Sequence, residues 1–119
     1  MITGMSVINC KVAHLRKAGY ASLQEFLNAS PDHVYIGRDM SVYVPGAVGS
    51  KWKNPFKLKD HSIDEVLRLY EEHVLSRPDL MRDLPQLRGK TLACWCKPHP
   101  CHGDVLMKLA NESNQVREM

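Results

Sequence analysis

Apolar and polar positions along this chain follow two rhythms, and the switches between them predict the elements. Residues 5–12 carry β-branched Val7, Ile8 and Val12 and read as a first strand, with Cys10 inside it. Ser22-Leu23-Gln24-Glu25 is a capping-box pattern, and Leu23, Phe26 and Leu27 share one helical face, so a short helix is expected over 22–28. Residues 33–38 read as a second strand ending in Gly37 and Arg38. Ser41-Val42-Tyr43-Val44-Pro45 alternates polar and apolar positions and suggests a third strand at a sheet edge, closed by its proline. Ser62-Ile63-Asp64-Glu65 is a second capping box and opens the longest helix. Ile63, Val66, Leu67, Tyr70, Val74 and Leu75 recur on one face of it, and Arg77-Pro78 ends it. Residues 79–84 suggest a helical turn, 91–96 a last strand, and 104–111 a last helix.

These elements predict an α/β fold: one small domain over 1–111, a mixed sheet flanked by helices, with 112–119 as a flexible tail. At 119 residues the chain can build a modest core without disulfide staples. A net charge of +3 is too small to announce a nucleic-acid binder by itself. No apolar run approaches a membrane span, and the first residues lack a charged and then apolar leader, so a cytoplasmic (or nuclear) setting with no membrane partner is expected. Thiols stay reduced there, and clustered cysteines then point to metal or catalysis before disulfides.

That inference matters because three of the four cysteines fall in Cys94-Trp95-Cys96-Lys97-Pro98-His99-Pro100-Cys101-His102-Gly103-Asp104. Residues two apart on a strand share a face, so Cys94 and Cys96 should point one way and Trp95 the other. After a proline-stiffened loop, Cys101 and His102 complete a candidate four-ligand set for zinc. His99 or Cys10 are substitutes, an iron–sulfur cluster fits three cysteines less well, and Cys10 alone reads first as a buried small hydrophobe. An alternative chemistry makes Cys101 an activated thiol at a helix start, with His102 and Asp104 as reacting groups. Asp104 can instead cap the helix or orient a histidine. A third reading has the cysteines only packing strand against helix.

A second segment carries its own chemistry. Arg38, Lys51, Lys53, Lys57 and Lys59 face only Asp39 as a counter-charge, and Trp52 and Phe56 are interleaved with the lysines. Cations beside aromatic faces suit phosphates and stacked bases, so Arg38, Lys51, Trp52, Lys53 and Asn54 are candidate contacts to a nucleotide or nucleic acid. The same composition also fits a solvated loop anchored by Trp52 and Phe56, with Asn54-Pro55-Phe56 as a structural turn.

Together the two segments resemble a family catalogued only as a domain of unknown function, found in bacteria, phages and large DNA viruses. The resemblance rests on Val34-Tyr35-Ile36-Gly37-Arg38, Ser50-Lys51-Trp52-Lys53-Asn54-Pro55-Phe56, Leu87-Arg88-Gly89-Lys90, Cys94-Trp95-Cys96-Lys97-Pro98 and Cys101-His102-Gly103-Asp104-Val105-Leu106. Lys53 departs from the pattern, which has a small residue between Trp and Asn, and 11–32 is longer than in compact members. The resemblance implies no established reaction, and its spread among phages and viruses favours nucleotide or nucleic-acid chemistry. The leading expectation is thus a zinc site beside a basic loop, binding a phosphate-bearing ligand. The rivals are a nucleotide- or nucleoside-processing enzyme and a protein-interaction module with a structural metal.

Overall fold

In the computed structural model the described residues are 5–57, 59–97 and 99–118, with side chains described as far as Glu112. Pro98 and the side chains of the expected tail at 113–119 lie outside them. The chain forms a single α/β domain. Its order is β1 (Ser6–Asn9), α1 (Val12–Lys17), α2 (Leu23–Ala29), β2 (His33–Tyr35), α3 (Ile63–Leu75), α4 (Pro78–Asp83), a 3-10 turn (Leu84–Leu87), β3 (Thr91–Cys94) and α5 (His102–Glu118).

The sheet has three strands in the order β1-β3-β2 and is parallel throughout, where the sequence suggested a mixed one. Parallel neighbours need a crossover connection, and both crossovers here contain helices. β3 is the central strand, with Thr91 opposite Ser6 on one side and His33 on the other. Helices cover both faces, which buries β3 almost completely. On one face, Leu92, Cys94, Val34 and Ile36 pack with α3, α4, the 3-10 turn and α5 through Tyr70, Val74, Leu80, Leu84, Leu106 and Leu109. On the other, Ala93, Tyr35 and Cys10 pack with α1 and α2 through Leu15, Leu23 and Phe26.

Local chemistry accounts for the helices. Ser22 and Ser62 each accept the backbone N–H three residues on, at 3.1 and 3.2 Å, as the capping boxes predict. α5 runs beyond the expected end at residue 111. Two further sequence expectations fail. α1 replaces the end of the expected first strand: after Cys10 the chain turns into a six-residue helix without a side-chain cap. Residues 41–45 form a turn and not an edge strand: Met40 O accepts from the backbone N–H of Tyr43 and of Val44, at 3.0 and 2.8 Å, while Asp39 accepts from Ser41. Val42 and Tyr43 then stand in solvent, so their alternation with Ser41 reflects no pleat.

Gly103, in the first turn of α5, marks where that helix meets the sheet. A Cβ there would lie 2.8 Å from Val7 Cγ1 and 3.0 Å from Ile36 Cδ1, both branched, with Val7 on β1 and Ile36 just past β2, its N–H on Ala93 O. Gly103→Ala is therefore expected to destabilise the chain by about 1–3 kcal/mol despite the better helix propensity of alanine. Urea unfolding reads this directly, and a variant as stable as the parent would refute the close approach.

Candidate metal centre

The alternation of β3 continues past its last hydrogen-bonded residue. Cys94 and Cys96 both turn toward the α5 face, and Trp95 packs on the α1/α2 face, as the two-residue period requires. The loop then returns Cys101 to the start of α5. Cys94, Cys96 and Cys101 thereby place three sulfurs within 4.8 Å of one another, so this cysteine cluster can hold a metal ion. Cys94 Sγ and Cys101 Sγ are 2.9 Å apart and buried, while Cys96 is half-buried.

Three features hold the loop in this shape. Cys101 is the residue before α5; its sulfur accepts the N–H of Gly103 at 3.2 Å, and its own N–H goes to Asp104 Oδ2 at 3.0 Å, a reciprocal cap. Asp104 Oδ1 takes Lys97 Nζ at 2.6 Å. Asp104 thus caps the helix and fixes Lys97, with both oxygens occupied. From the far side, the buried Asn9 donates its carboxamide N–H to the carbonyls of Lys97 at 2.5 Å and Trp95 at 3.5 Å, and accepts from Lys11 N at 2.9 Å. Sequence reasoning missed Asn9; its signal was a carboxamide closing a β-branched run.

The electrostatics follow from crowding three thiols together. Hydrogen bonds from Cys101 and Cys94 hold the Cys96 thiol down to about 3, with Lys97 helping. Bonding to Cys94 and Cys96, with burial, drives Cys101 far above the ordinary thiol range. Cys94 is lowered by its bond from Cys101 but raised more by Cys96 and by burial, and ends above its usual value. Crowded thiolates repel one another, so a cation among the three sulfurs favours their ionisation. Cys101 is 1% exposed, with its sulfur against Cys94.

The other expected ligands lie apart from the sulfurs. His102 is buried, and its Nε2 meets the carbonyl of Ile36 at 2.8 Å. Burial lowers its pKa against the opposing pull of that bond, so the ring is neutral and Nε2 donates. His99 is exposed, with its backbone N–H on Cys96 O. Cys10 lies in the core of the opposite face, and its thiol is pushed up to about 12 chiefly by burial.

The basic segment divides. Trp52 is 6% exposed and packs in the core beside Tyr70, whose hydroxyl donates to Trp52 O at 2.6 Å, so its ring is not open to stack on a base. Lys51 pairs with Asp83 and lies 5.6 Å from the Trp52 ring centroid. Asn54 turns back to accept from Phe56 N at 3.0 Å. Arg38, Lys53, Lys57 and Lys59 are exposed. Among the described residues no helix is long and apolar enough to cross a membrane.

Comparison with known proteins finds relatives of the chain. An uncharacterised protein, R718 of Acanthamoeba polyphaga mimivirus, is 38% identical over 85 residues, covering 64% of this chain and 65% of that protein. An uncharacterised 12.4 kDa protein in the nrdA-td intergenic region of Enterobacteria phage T4 is 54% identical over 67 residues, covering 53% of this chain and 62% of that protein. The chain thus spans somewhat under two thirds of the length of these relatives. No solved structure matches it. The sequence profile of DUF4326, a domain of unknown function, matches residues 22–112, which include all three clustered cysteines, and the chain belongs to that family.

Proposed function

We propose that this chain is a zinc-binding domain in which Cys94, Cys96 and Cys101 hold the ion and the fourth position is left to a ligand from outside that set. The observation that carries this reading is the approach of three sulfurs to within 4.8 Å of one another. Tetrahedral zinc with bonds of about 2.3 Å keeps its sulfurs about 3.8 Å apart, so the set fits once Cys94 and Cys101 spread by about 1 Å. When bound, zinc acts as a Lewis acid on whatever takes the remaining position. The chain supplies the rest: Asp104 caps the helix bearing Cys101, Asn9 pins the loop bearing Cys96, and Lys97 adds positive charge beside the sulfurs.

A phosphate-bearing ligand, nucleotide or nucleic acid, belongs to the same reading. Its support is the exposed cations Arg38, Lys53, Lys57 and Lys59, without Trp52 and with Lys51 held by Asp83. Phosphate contacts of this kind position a ligand without reading its sequence.

Elemental analysis of untagged protein purified under reducing conditions tests the metal. The expected result is close to one zinc per chain. Cys96→Ser, at the half-buried thiol, should retain almost none while keeping the far-ultraviolet spectrum of the parent. Metal-free, fully folded wild type would overturn the proposal, and iron with acid-labile sulfide would replace zinc by a cluster.

A further inference from the structure

The face of the sheet opposite the thiols carries a cavity of about 470 Å³ at the carboxyl ends of β1 and β3. That size suits a small-molecule ligand, and the carboxyl ends of parallel strands are where open α/β sheets bind theirs. One wall is Trp95, which the strand alternation sends away from Cys94 and Cys96. Trp95 is fixed in place: its indole N–H donates to Tyr35 Oη at 2.8 Å, and that hydroxyl donates to Arg38 O at 2.6 Å. The turn that replaces the expected edge strand also lines the cavity, with Tyr43, a large aromatic left 81% exposed, followed by Val44. The rim adds Lys11 and the Ser22 hydroxyl, which accepts from Glu25 N and keeps its own proton to donate. No carboxylate lines the cavity among the described residues.

The geometry points to a binding site for a planar aromatic ring bearing an anionic group, the ring lying between Trp95 and Tyr43 and the anion at Lys11 and Ser22. A hydrogen-bonded and an exposed aromatic wall suit a flat ring. A lysine with no opposing acid selects negative charge. A mononucleotide and an aromatic carboxylate share this chemistry. Among the described residues none of the three clustered thiols lines the cavity, so the inference stands apart from the metal.

The chain has two tryptophans and hence two indole N–H resonances in a ¹⁵N–¹H spectrum, assigned with Trp95→Phe. Adenosine 5′-monophosphate and indole-3-carboxylate are titrated separately to millimolar concentration into the protein as purified. The expected result is a saturable shift of the Trp95 indole by at least one of them, with the buried Trp52 indole unmoved. Tyr43→Ala, exposed and so without effect on folding, should weaken binding about tenfold, the size of one lost stacking partner. Lys11→Ala should weaken both anions, and adenosine without its phosphate should bind several-fold less tightly than its monophosphate. No shift of Trp95 with either probe, binding unchanged in Tyr43→Ala, or adenosine binding as tightly as the monophosphate would each overturn the proposal. None of these outcomes bears on the zinc analysis, so the two can fail separately.

Discussion

Tyr70→Ala is expected to destabilise the chain by about 3–5 kcal/mol, the range for removing a buried aromatic from a core. Tyr70 is fully buried on α3 and touches both segments of functional interest. Its hydroxyl donates to the carbonyl of Trp52, and its ring meets that of His102 edge-on, with centroids 5.1 Å apart. Truncation removes the packing, opens a cavity and leaves the Trp52 carbonyl buried without its donor. Tyr70→Phe separates these contributions: it keeps the packing and should cost about 1–3 kcal/mol for the unpaired carbonyl. Single domains are stable by only about 5–15 kcal/mol, so the alanine variant should be conspicuously weakened and the phenylalanine variant comfortably folded. Urea midpoints at unchanged slope measure both. A loss below about 1 kcal/mol for Tyr70→Ala would mean that Trp52 and the start of α5 do not depend on this side chain.

Tyr70 also shows where sequence reading stops. Its place on the apolar face of α3 was legible, because the capping box at Ser62 and the helical spacing are local signals. That it would hold down Trp52, and so remove that ring from the ligand-binding candidates, depends on a contact between residues eighteen apart. The lysines flanking Trp52 pointed to a surface position that the side chain does not occupy. The turn at 41–45 failed for a different reason: alternation over four residues fits a strand, but Asp39 accepting from Ser41 bends the backbone first. α1 was hidden because it is short and lacks a side-chain cap. The sheet's direction was out of reach, since strand order comes from packing and not from the period within any strand.

The sulfur cluster was more legible than the fold around it. Two cysteines two apart at a strand end share a face by geometry alone, and a third at the next helix start needs only a loop short enough to return it. His102 was the weak member because it directly follows Cys101. Adjacent residues at a helix start diverge, and here the sulfur turns to the cluster while the imidazole turns to the carbonyl of Ile36, just past β2. The histidine instead ties α5 to the sheet, next to the glycine that lets the helix approach it.

Cys101→Ser is expected to separate the metal from the architecture. Cys101 has two jobs that can be distinguished: its sulfur belongs to the three-thiol set, and it also accepts the Gly103 N–H as the cap of α5. Serine removes the first and keeps the second, because a hydroxyl is a favoured cap. In the presence of a strong chelator the variant and wild type should therefore unfold within about 1 kcal/mol of each other. With zinc supplied at about a thousand times its dissociation constant, wild type alone should gain about 4 kcal/mol by mass action, while the variant stays where it was. The chelated wild type should remain folded, since the cores on both faces of the sheet contain many apolar side chains besides the cysteines. Denaturant unfolding of both proteins, with and without chelator, gives the four values required. If the gap between them is the same in both conditions, the three thiols contribute packing and no metal linkage. If it opens only with zinc, the ion is a ligand of a preformed α/β domain and not the staple that makes it fold, which leaves the fourth position free to change partners without unfolding the chain.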